Sequence, residues 1–343
     1  MKWKRIYSWA IWMFFLQVVT AQDIPVAHQD TIVTENGLNI SGFADASYFF
    51  DNTTGENTFG LDQVEIDLKK NYGATGSMRI DLEWSNDGAG GMDPNVEQAF
   101  MTMNIPYLTE STLQFGKFNA PIGFELMDPN EMYQYSHALV YDYGLPGNLS
   151  GVMVSSQLNS RTNLSVYICN GWDQNADLNT GKTFGGRLGL SLFDQVTMGL
   201  SAITGAENGP EGEFLTVWDV DITFTPADGW LFGGELNWGR NTASDSSQTW
   251  NGFLLMAHHD FNSIYGITLR LDYFNDADAT RLESQLPEKR KAVTLAPTFV
   301  LREGMGALFE LRQDFSDKDV FTDRNRKPCQ SSLHFAFELT YSF

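Results

Sequence analysis

Apolar residues recur at every second position along most of the chain. In 332–343, Leu333, Phe335 and Phe337 alternate with His334 and Glu338. A period of two is typical of a β-strand with one apolar and one polar face. The same pattern predicts sixteen strands: 38–50, 59–70, 74–84, 95–104, 111–119, 150–158, 161–170, 182–192, 195–205, 213–225, 229–240, 248–260, 264–274, 290–301, 304–314 and 332–343.

The connections between these strands alternate between long and short. The longer ones are 51–58, 85–94, 120–149, 171–181, 206–212, 241–247, 275–289 and 315–331. A transmembrane barrel with both termini in the periplasm has long extracellular loops, short periplasmic turns and an even number of strands. We therefore predict an all-β fold, one closed antiparallel barrel of about sixteen strands, wide enough to enclose an aqueous lumen. A count of eighteen stays open, because 120–149 has room for two weak strands.

The first residues predict export. Lys2, Lys4 and Arg5 precede an apolar run over 6–19, which is shorter than the roughly 20 residues of a membrane-spanning helix. We expect a cleaved signal peptide at 1–21, a short periplasmic leader at 22–37 and a single barrel domain at 38–343, although an uncleaved anchor helix is the alternative. The net charge of −21 argues against nucleic acid as a partner.

Aromatic residues cluster near the predicted strand ends, as the two lipid–water interfaces favour. The residues at one end are Trp84, Trp172, Trp238 and Trp250, and those at the other are Trp230, Tyr341 and Phe343.

The connection 120–149 is unusual for its length and its apolar content. Thirty residues without strand alternation are rare in a compact domain. The segment contains apolar side chains that would be exposed to water in an extracellular loop, namely those of Phe124, Leu126, Leu139 and Val140. We predict that this segment folds into the lumen after the fifth strand and narrows the pore.

Residues 116–151 contain a series of short motifs, namely Gly116-Lys117-Phe118, Pro121-Ile122-Gly123-Phe124-Glu125, Asp128-Pro129, Tyr135-Ser136-His137 and the later Pro146 and Gly151. In this order they resemble the OmpL-like family of β-barrel porins. It implies a porin in the outer membrane of a Gram-negative bacterium. In such barrels the assembly machinery reads a terminal aromatic residue, here Phe343.

Charged residues of the predicted lumen define a candidate constriction. We expect the loop acids Glu125 and Asp128 to face wall bases, which would create a transverse field that orders polar solutes. The alternative is that these residues are ordinary hydrated side chains of the barrel wall. The excess of acidic over basic residues suggests that the pore prefers cations. The full candidate set is Glu125, Asp128, His137, Arg79, Asp81, Arg187, Arg270, Asp272 and Arg312.

Other chemistry finds little support in the sequence. No nucleophile motif accompanies the histidines, so we predict no enzyme and no cofactor. Asp173 to Asn179 has calcium-loop spacing, but Leu178 and Phe184 stand where an EF-hand needs Gly and Glu, so we predict no metal site in the protein. Cys169 and Cys329 could pair or stay free.

The function that these features favour is passive diffusion of small polar solutes or ions through a porin embedded in outer-membrane lipid. A substrate-selective channel for sugars or peptides, a barrel-anchored surface binding protein and a soluble all-β protein are the alternatives. No sequence feature decides between a monomer and a homo-trimer.

Overall fold

The computed structural model of the chain describes residues 32–34, 37–108, 110–208, 213–243 and 246–343. The predicted signal peptide 1–21 and most of the predicted leader 22–37 lie outside the described residues.

Sixteen antiparallel strands form a closed barrel. They are β1 (Leu38–Asp51), β2 (Asn57–Asn71), β3 (Gly76–Asn86), β4 (Met92–Asn104), β5 (Ser111–Asn119), β6 (Asn148–Asn159), β7 (Thr162–Trp172), β8 (Thr183–Phe193), β9 (Val196–Asn208), β10 (Glu213–Phe224), β11 (Trp230–Ala243), β12 (Ser246–Asp260), β13 (Tyr265–Asp276), β14 (Glu288–Arg302), β15 (Met305–Ser316) and β16 (Ser331–Ser342).

Each strand pairs with the next in sequence, and β16 pairs back onto β1 through Phe335↔Phe50 and Tyr341↔Ala44. Closure leaves no sheet edge, so the backbone groups of every strand find partners within the barrel. The predicted fold class and strand number are confirmed.

A few short elements lie in the connections outside this ladder. Ile32–Val33 pairs with β1, and Phe321–Thr322 pairs with Pro328–Cys329 in the connection between β15 and β16. The segment 120–147, here called the long loop, contains a 3₁₀ turn at Pro129–Glu131 and a short helix, α1 (Leu139–Gly144). Among the described residues, no helix has the length and apolar character needed to cross a membrane.

The two faces of the barrel differ as the alternation predicts. On β13, Leu269 and Leu271 are 44% and 40% exposed on the outer face, whereas Arg270 and Asp272, which alternate with them, are buried. The other strands from β10 to β16 repeat this arrangement. An outer face of exposed Leu, Val, Ile and Phe is too apolar for a soluble protein and suits lipid.

Two predicted loops are shorter than expected. The ladder between β11 and β12 continues to Ala243↔Ser246, and β9 runs to Asn208, which is the third residue of the predicted loop 206–212. Polar residues in these segments interrupt the alternation of apolar side chains, but the backbone hydrogen bonds continue. These hydrogen bonds stabilise the hairpins beyond the apolar part of the strands.

The prediction for the tryptophans is wrong at Trp250. This side chain is fully buried on the inner face, because its position in β12 has the same parity as the inward-facing Leu254 and Met256. Trp238 and Trp230 are 41% and 40% exposed, on the outer face.

The two cysteines are free. Cys169 is buried on β7, and the thiol of Cys329 donates to the carbonyl of Ser331 at 3.4 Å. Of the two possibilities that the sequence left open, the structure has the unpaired one.

Candidate functional site

The long loop is attached to the inner face of the barrel by an apolar cluster. Phe124, Leu139 and Val140 are at most 2% exposed and belong to the same cluster as the inward-facing Leu254 of β12 and Phe274 of β13. Helix α1 contacts β11, β12 and β13. The barrel wall therefore covers the apolar residues that would be unfavourable in an extracellular loop.

Two inner-face glycines make this close approach sterically feasible. A Cβ atom on Gly233 of β11 would come within 2.5 Å of the Phe124 ring, and one on Gly252 of β12 would lie 2.6 Å from Cγ1 of Val140. Any larger side chain at either position would displace the loop.

Backbone amides at the start of the loop donate to buried acids of the wall. The amide of Phe124 donates to Glu235 at 2.7 Å, and that of Gly123 donates to Asp219 at 3.2 Å. These bonds fix the point at which the chain leaves β5 and crosses towards β10 and β11.

Arg270 is the main polar attachment of the loop. This fully buried guanidinium lies 2.8 Å from Glu125 of the loop and 3.0 Å from Asp272 of its own strand. It also donates to the carbonyls of Ser136 and His137 at 2.5 and 3.0 Å. Glu125 in turn accepts from the side chain of Gln134 at 2.7 Å and from the amide of Ala138 at 2.6 Å.

Arg312, on β15, contacts the same part of the loop as Arg270 does. Its guanidinium donates to the carbonyl of His137 at 2.8 Å and pairs with Asp314 at 3.0 Å. The imidazole of His137 makes a hydrogen bond with the carbonyl of Leu126 at 3.0 Å and stacks on Tyr141 at 4.0 Å. The contacts of His137 are thus within the loop or to Arg312 and Arg270.

The remaining predicted bases pair with acids of the wall. Arg187 makes two hydrogen bonds to Asp221, at 2.5 and 2.8 Å. Arg79, which is 29% exposed, lies 2.6 Å from Asp81 and 3.3 Å from Asp67.

Asp128 departs from the expected arrangement of loop acid against wall base. Its carboxylate groups with those of Glu65 on β2 and Glu97 on β4, with one oxygen of each lying within 4.8 Å of the others. The sequence analysis missed Glu97 because β4 has a bulge opposite Asp81 and Leu82, which shifts the alternation by one residue.

A small cavity lies between the connection that joins β13 to β14 and residues at the ends of β7 and of β9 to β12. Its volume is about 140 Å³, and Gln174, Glu207 and Thr280 contribute to its lining. The guanidinium of Arg281 lies 5.1 Å from the ring of Trp172 and 5.0 Å from that of Trp250, a cation–π sandwich. Burial lowers the pKa of Arg281 from its ordinary value, although Asp276 and Asp173 act in the opposite direction.

This cavity had no signal in the sequence. Arg281 lies in a polar connection, and the two indoles come from strands far apart in the chain.

The fold and its inner face define a class of protein. A closed sixteen-strand barrel with an apolar outer face and a charged inner face is a transmembrane β-barrel of the porin type. The model of the family described as "Putative beta-barrel porin-2, OmpL-like" matches residues 30–343, so the chain belongs to this family. The resemblance inferred from residues 116–151 is confirmed.

Solved structures share the fold at low identity. The outer-membrane channel DcaP of Acinetobacter baumannii has 10% identity and a TM-score of 0.66, over 91% of this chain and 99% of that chain. OmpT of Vibrio cholerae, in a trimer form, has 10% sequence identity and a TM-score of 0.63, and the match covers 89% of this chain and 99% of that chain. An anion-selective porin from Comamonas acidovorans has 11% sequence identity and a TM-score of 0.62, and the match covers 89% of this chain and 99% of that chain. No curated protein matches the chain.

Proposed function

We propose that the protein is a general diffusion porin. Small hydrophilic solutes and ions pass through the lumen passively, with no covalent step and no cofactor. The observation that carries this proposal is the inner face of the barrel, where charged side chains line a wall that closes on itself. A polar inner face and an apolar outer face are what an aqueous path through lipid requires.

The long loop narrows this path in the proposed mechanism. Its apolar anchors belong to a cluster that includes residues of β5 to β7 and of β9 to β14. The opposite sector, from β15 through β1 to β4, carries buried acids of the inner face, namely Asp45, Glu65, Asp67, Asp81, Glu97, Glu310 and Glu338. The loop also touches this acidic sector, because the amide of Ser136 donates to Glu310 at 3.1 Å and the side chain of Asn130 donates to Ser342 at 3.2 Å, so solutes pass beside these contacts.

The residues that line the constriction follow from this arrangement. Asp128, Arg79 and Asp81 lie on the acidic sector or on the part of the loop that faces it. Glu125, His137, Arg270, Asp272 and Arg312 hold the loop in position, and Arg187 lies in the wall beside its start. The excess of acids over bases around the path gives a preference for cations, because a narrow charged lumen concentrates counter-ions.

Conductance in a planar bilayer tests the proposal. The purified, refolded protein should give discrete steps on the order of a nanosiemens in asymmetric KCl, with a reversal potential of the sign that cation preference requires. Glu131→Gln, which removes one half-buried loop acid, should move that potential towards zero. Glu56→Gln, a matched change in an exposed connection, should leave it unchanged. Folded protein without conductance would refute the porin function.

The cavity at Arg281 favours a second candidate, a substrate-selective channel. A guanidinium between two indoles suits a sugar or peptide with an acidic group. Liposome swelling with neutral and acidic sugars of graded size separates the two functions. General diffusion gives rates that fall smoothly with size, whereas a selective channel favours particular solutes out of size order.

The outer membrane is the location that the family and the fold support, and export by the predicted signal peptide at 1–21 is part of the proposal.

A homo-trimer is the assembly we propose, since OmpT of Vibrio cholerae has a trimer form and the same fold. Light scattering of the detergent-solubilised protein, corrected for bound detergent, measures the protomer number directly.

A further inference from the structure

We infer that Glu65, Glu97 and Asp128 form a binding site for a divalent cation, with calcium the preferred ion, which ties the tip of the long loop to the acidic wall. The three carboxylates come from β2, β4 and the loop. The inference needs only the contact between loop and wall, and does not depend on whether solutes pass through the barrel.

The spacing of the three carboxylates suits one ion. One oxygen from each residue lies within 4.8 Å of the other two. Calcium binds oxygen ligands at about 2.3–2.6 Å, so two oxygens on the same ion are at most about 5 Å apart. The three side chains can therefore reach a shared ion from their present positions.

The oxygens concerned are buried and lack other partners. Glu65 and Glu97 are each 1% exposed. Within the described part of the chain, Oε2 of Glu65, Oε2 of Glu97 and Oδ1 of Asp128 accept no hydrogen bond. Buried carboxylate oxygens without a donor are costly, and a cation is the ligand that satisfies all three together.

The bases nearby are already engaged. Arg79 divides its charge between Asp81 and Asp67, at 2.6 and 3.3 Å. Lys117 donates to the carbonyl of Val96 at 2.8 Å. These contacts leave the three acids with no matched positive charge at hydrogen-bonding distance among the described residues.

The neighbouring contacts hold two of the three carboxylates in place. Asn119 donates to the other oxygen of Glu97, Oε1, at 2.8 Å, which leaves Oε2 free for the ion. Asn130, two residues after Asp128, donates to Ser342 of β16 at 3.2 Å. The loop tip is thus held close to the acidic wall, where an ion would offset the repulsion among the carboxylates.

A second acidic group, Glu65 with Asp67 and Asp81, shares Glu65 with this site. It is the weaker candidate, because Asp67 accepts from Ser41 at 3.0 Å, Asp81 accepts from Gln98 at 2.7 Å and both contact Arg79.

Calorimetric titration of the refolded full chain with CaCl₂ tests the inference. The protein is kept in detergent, freed of metal with EDTA, and titrated in about 0.15 M KCl to screen diffuse attraction to the acidic chain. We expect saturable binding of one calcium ion per chain and weaker binding of magnesium. Glu97→Gln and Asp128→Asn should each weaken calcium binding by at least about tenfold, as loss of a metal-site residue does.

Glu83→Gln is the matched control, because Glu83 is a half-buried acid of the same wall that belongs to neither acidic group. Its calcium affinity should equal that of the wild type. Heat-modifiable migration on gels verifies folding of each variant, and calcium should protect the loop of the wild type, but not of Glu97→Gln, from proteolysis.

Three results would overturn the inference. They are the absence of saturable calcium binding to the folded wild type, an affinity unaffected in both folded variants, and an equal loss in the Glu83→Gln control. The titration does not require an open pore, so its failure is distinguishable from failure of the porin function.

Discussion

Replacing Arg270 with glutamine should release the long loop from the wall while the barrel stays closed. The arginine is fully buried and contacts Glu125, Asp272, Ser136 and His137, so one side chain connects the start and the middle of the loop to β13. Glutamine retains some hydrogen-bonding capacity but removes the positive charge that both carboxylates share.

The expected magnitude follows from what the change leaves behind. Breaking a buried ion pair by removing one partner costs about 3–5 kcal/mol, because the other charge stays buried without compensation. Glu125 keeps its hydrogen bonds from Gln134 and Ala138, and Arg312 keeps its bond to His137, so we expect the lower end, about 3 kcal/mol. Each 1.4 kcal/mol is a factor of ten, so opening of the loop should become roughly a hundredfold more frequent.

Hydrogen exchange of the loop amides measures this directly. The amides of Phe124 and Ala138, which donate to buried carboxylates, should exchange about a hundred times faster in Arg270→Gln. Amides in β13 itself should exchange as in the wild type. In single-channel recordings the variant should show larger and noisier steps, because the constriction moves.

A double variant separates charge from packing. Glu125→Gln combined with Arg270→Gln removes both charges of the pair. The loop amides of this double variant should therefore exchange more slowly than those of Arg270→Gln alone. Arg302→Gln, at the exposed end of β14, is the control for the loss of an arginine outside the loop contacts. If Arg270→Gln leaves loop exchange and channel noise at the wild-type level, the apolar cluster alone holds the loop and the reasoning is refuted.

Three further changes examine other parts of the structure. Gly233→Val should displace the ring of Phe124 and destabilise the loop by about 1–3 kcal/mol, measured by the same exchange of loop amides. Leu269→Arg puts a charge near the middle of a lipid-facing strand and should lower the free energy of unfolding in lipid by about 2–4 kcal/mol, measured by denaturant titration in vesicles. A maleimide should label Cys329 in the folded protein and Cys169 only after unfolding, and reducing agent should not change gel mobility.

Each of these has a matched comparison. Gly234→Ala, whose new Cβ would lie no closer than 3.4 Å to a neighbour, should leave the loop unchanged. Leu269→Ala keeps the outer face apolar and should cost less than the arginine. Equal effects of the paired variants, or equal labelling of both thiols before unfolding, would contradict the assigned environments.

The barrel was predictable because its determinants are local and repeated. One face of each strand contacts lipid and the other faces the interior, so the alternation appears in each segment by itself, and sixteen strand centres could be located without knowledge of their pairing. Loop lengths were less predictable. At Ala243↔Ser246 the hairpin continues on backbone hydrogen bonds, which leave no mark on the apolar pattern.

Parity errors explain the residues that were misplaced. A single bulge in β4 turns Glu97 to the buried side, although simple alternation would point it outward. Trp250 was assigned to the lipid interface by residue type and position along the strand, whereas its parity places it inside. Residue type indicates what an environment must provide, but only register decides which environment a side chain occupies.

The contacts of the long loop depend on a further level of structure. Its apolar content required cover, and this could be read from residues such as Phe124 and Val140 without knowing which wall provides it. The pairing of Glu125 with Arg270 joins residues 145 positions apart, and four inward-facing arginines were equally good candidates in the sequence. The choice among them depends on where the loop leaves β5 and which strands present glycine to its apolar side chains. Because Gly233 and Gly252 admit Phe124 and Val140 on β11 and β12, Glu125 lies beside β13, and the same geometry takes Asp128 to the opposite, acidic wall.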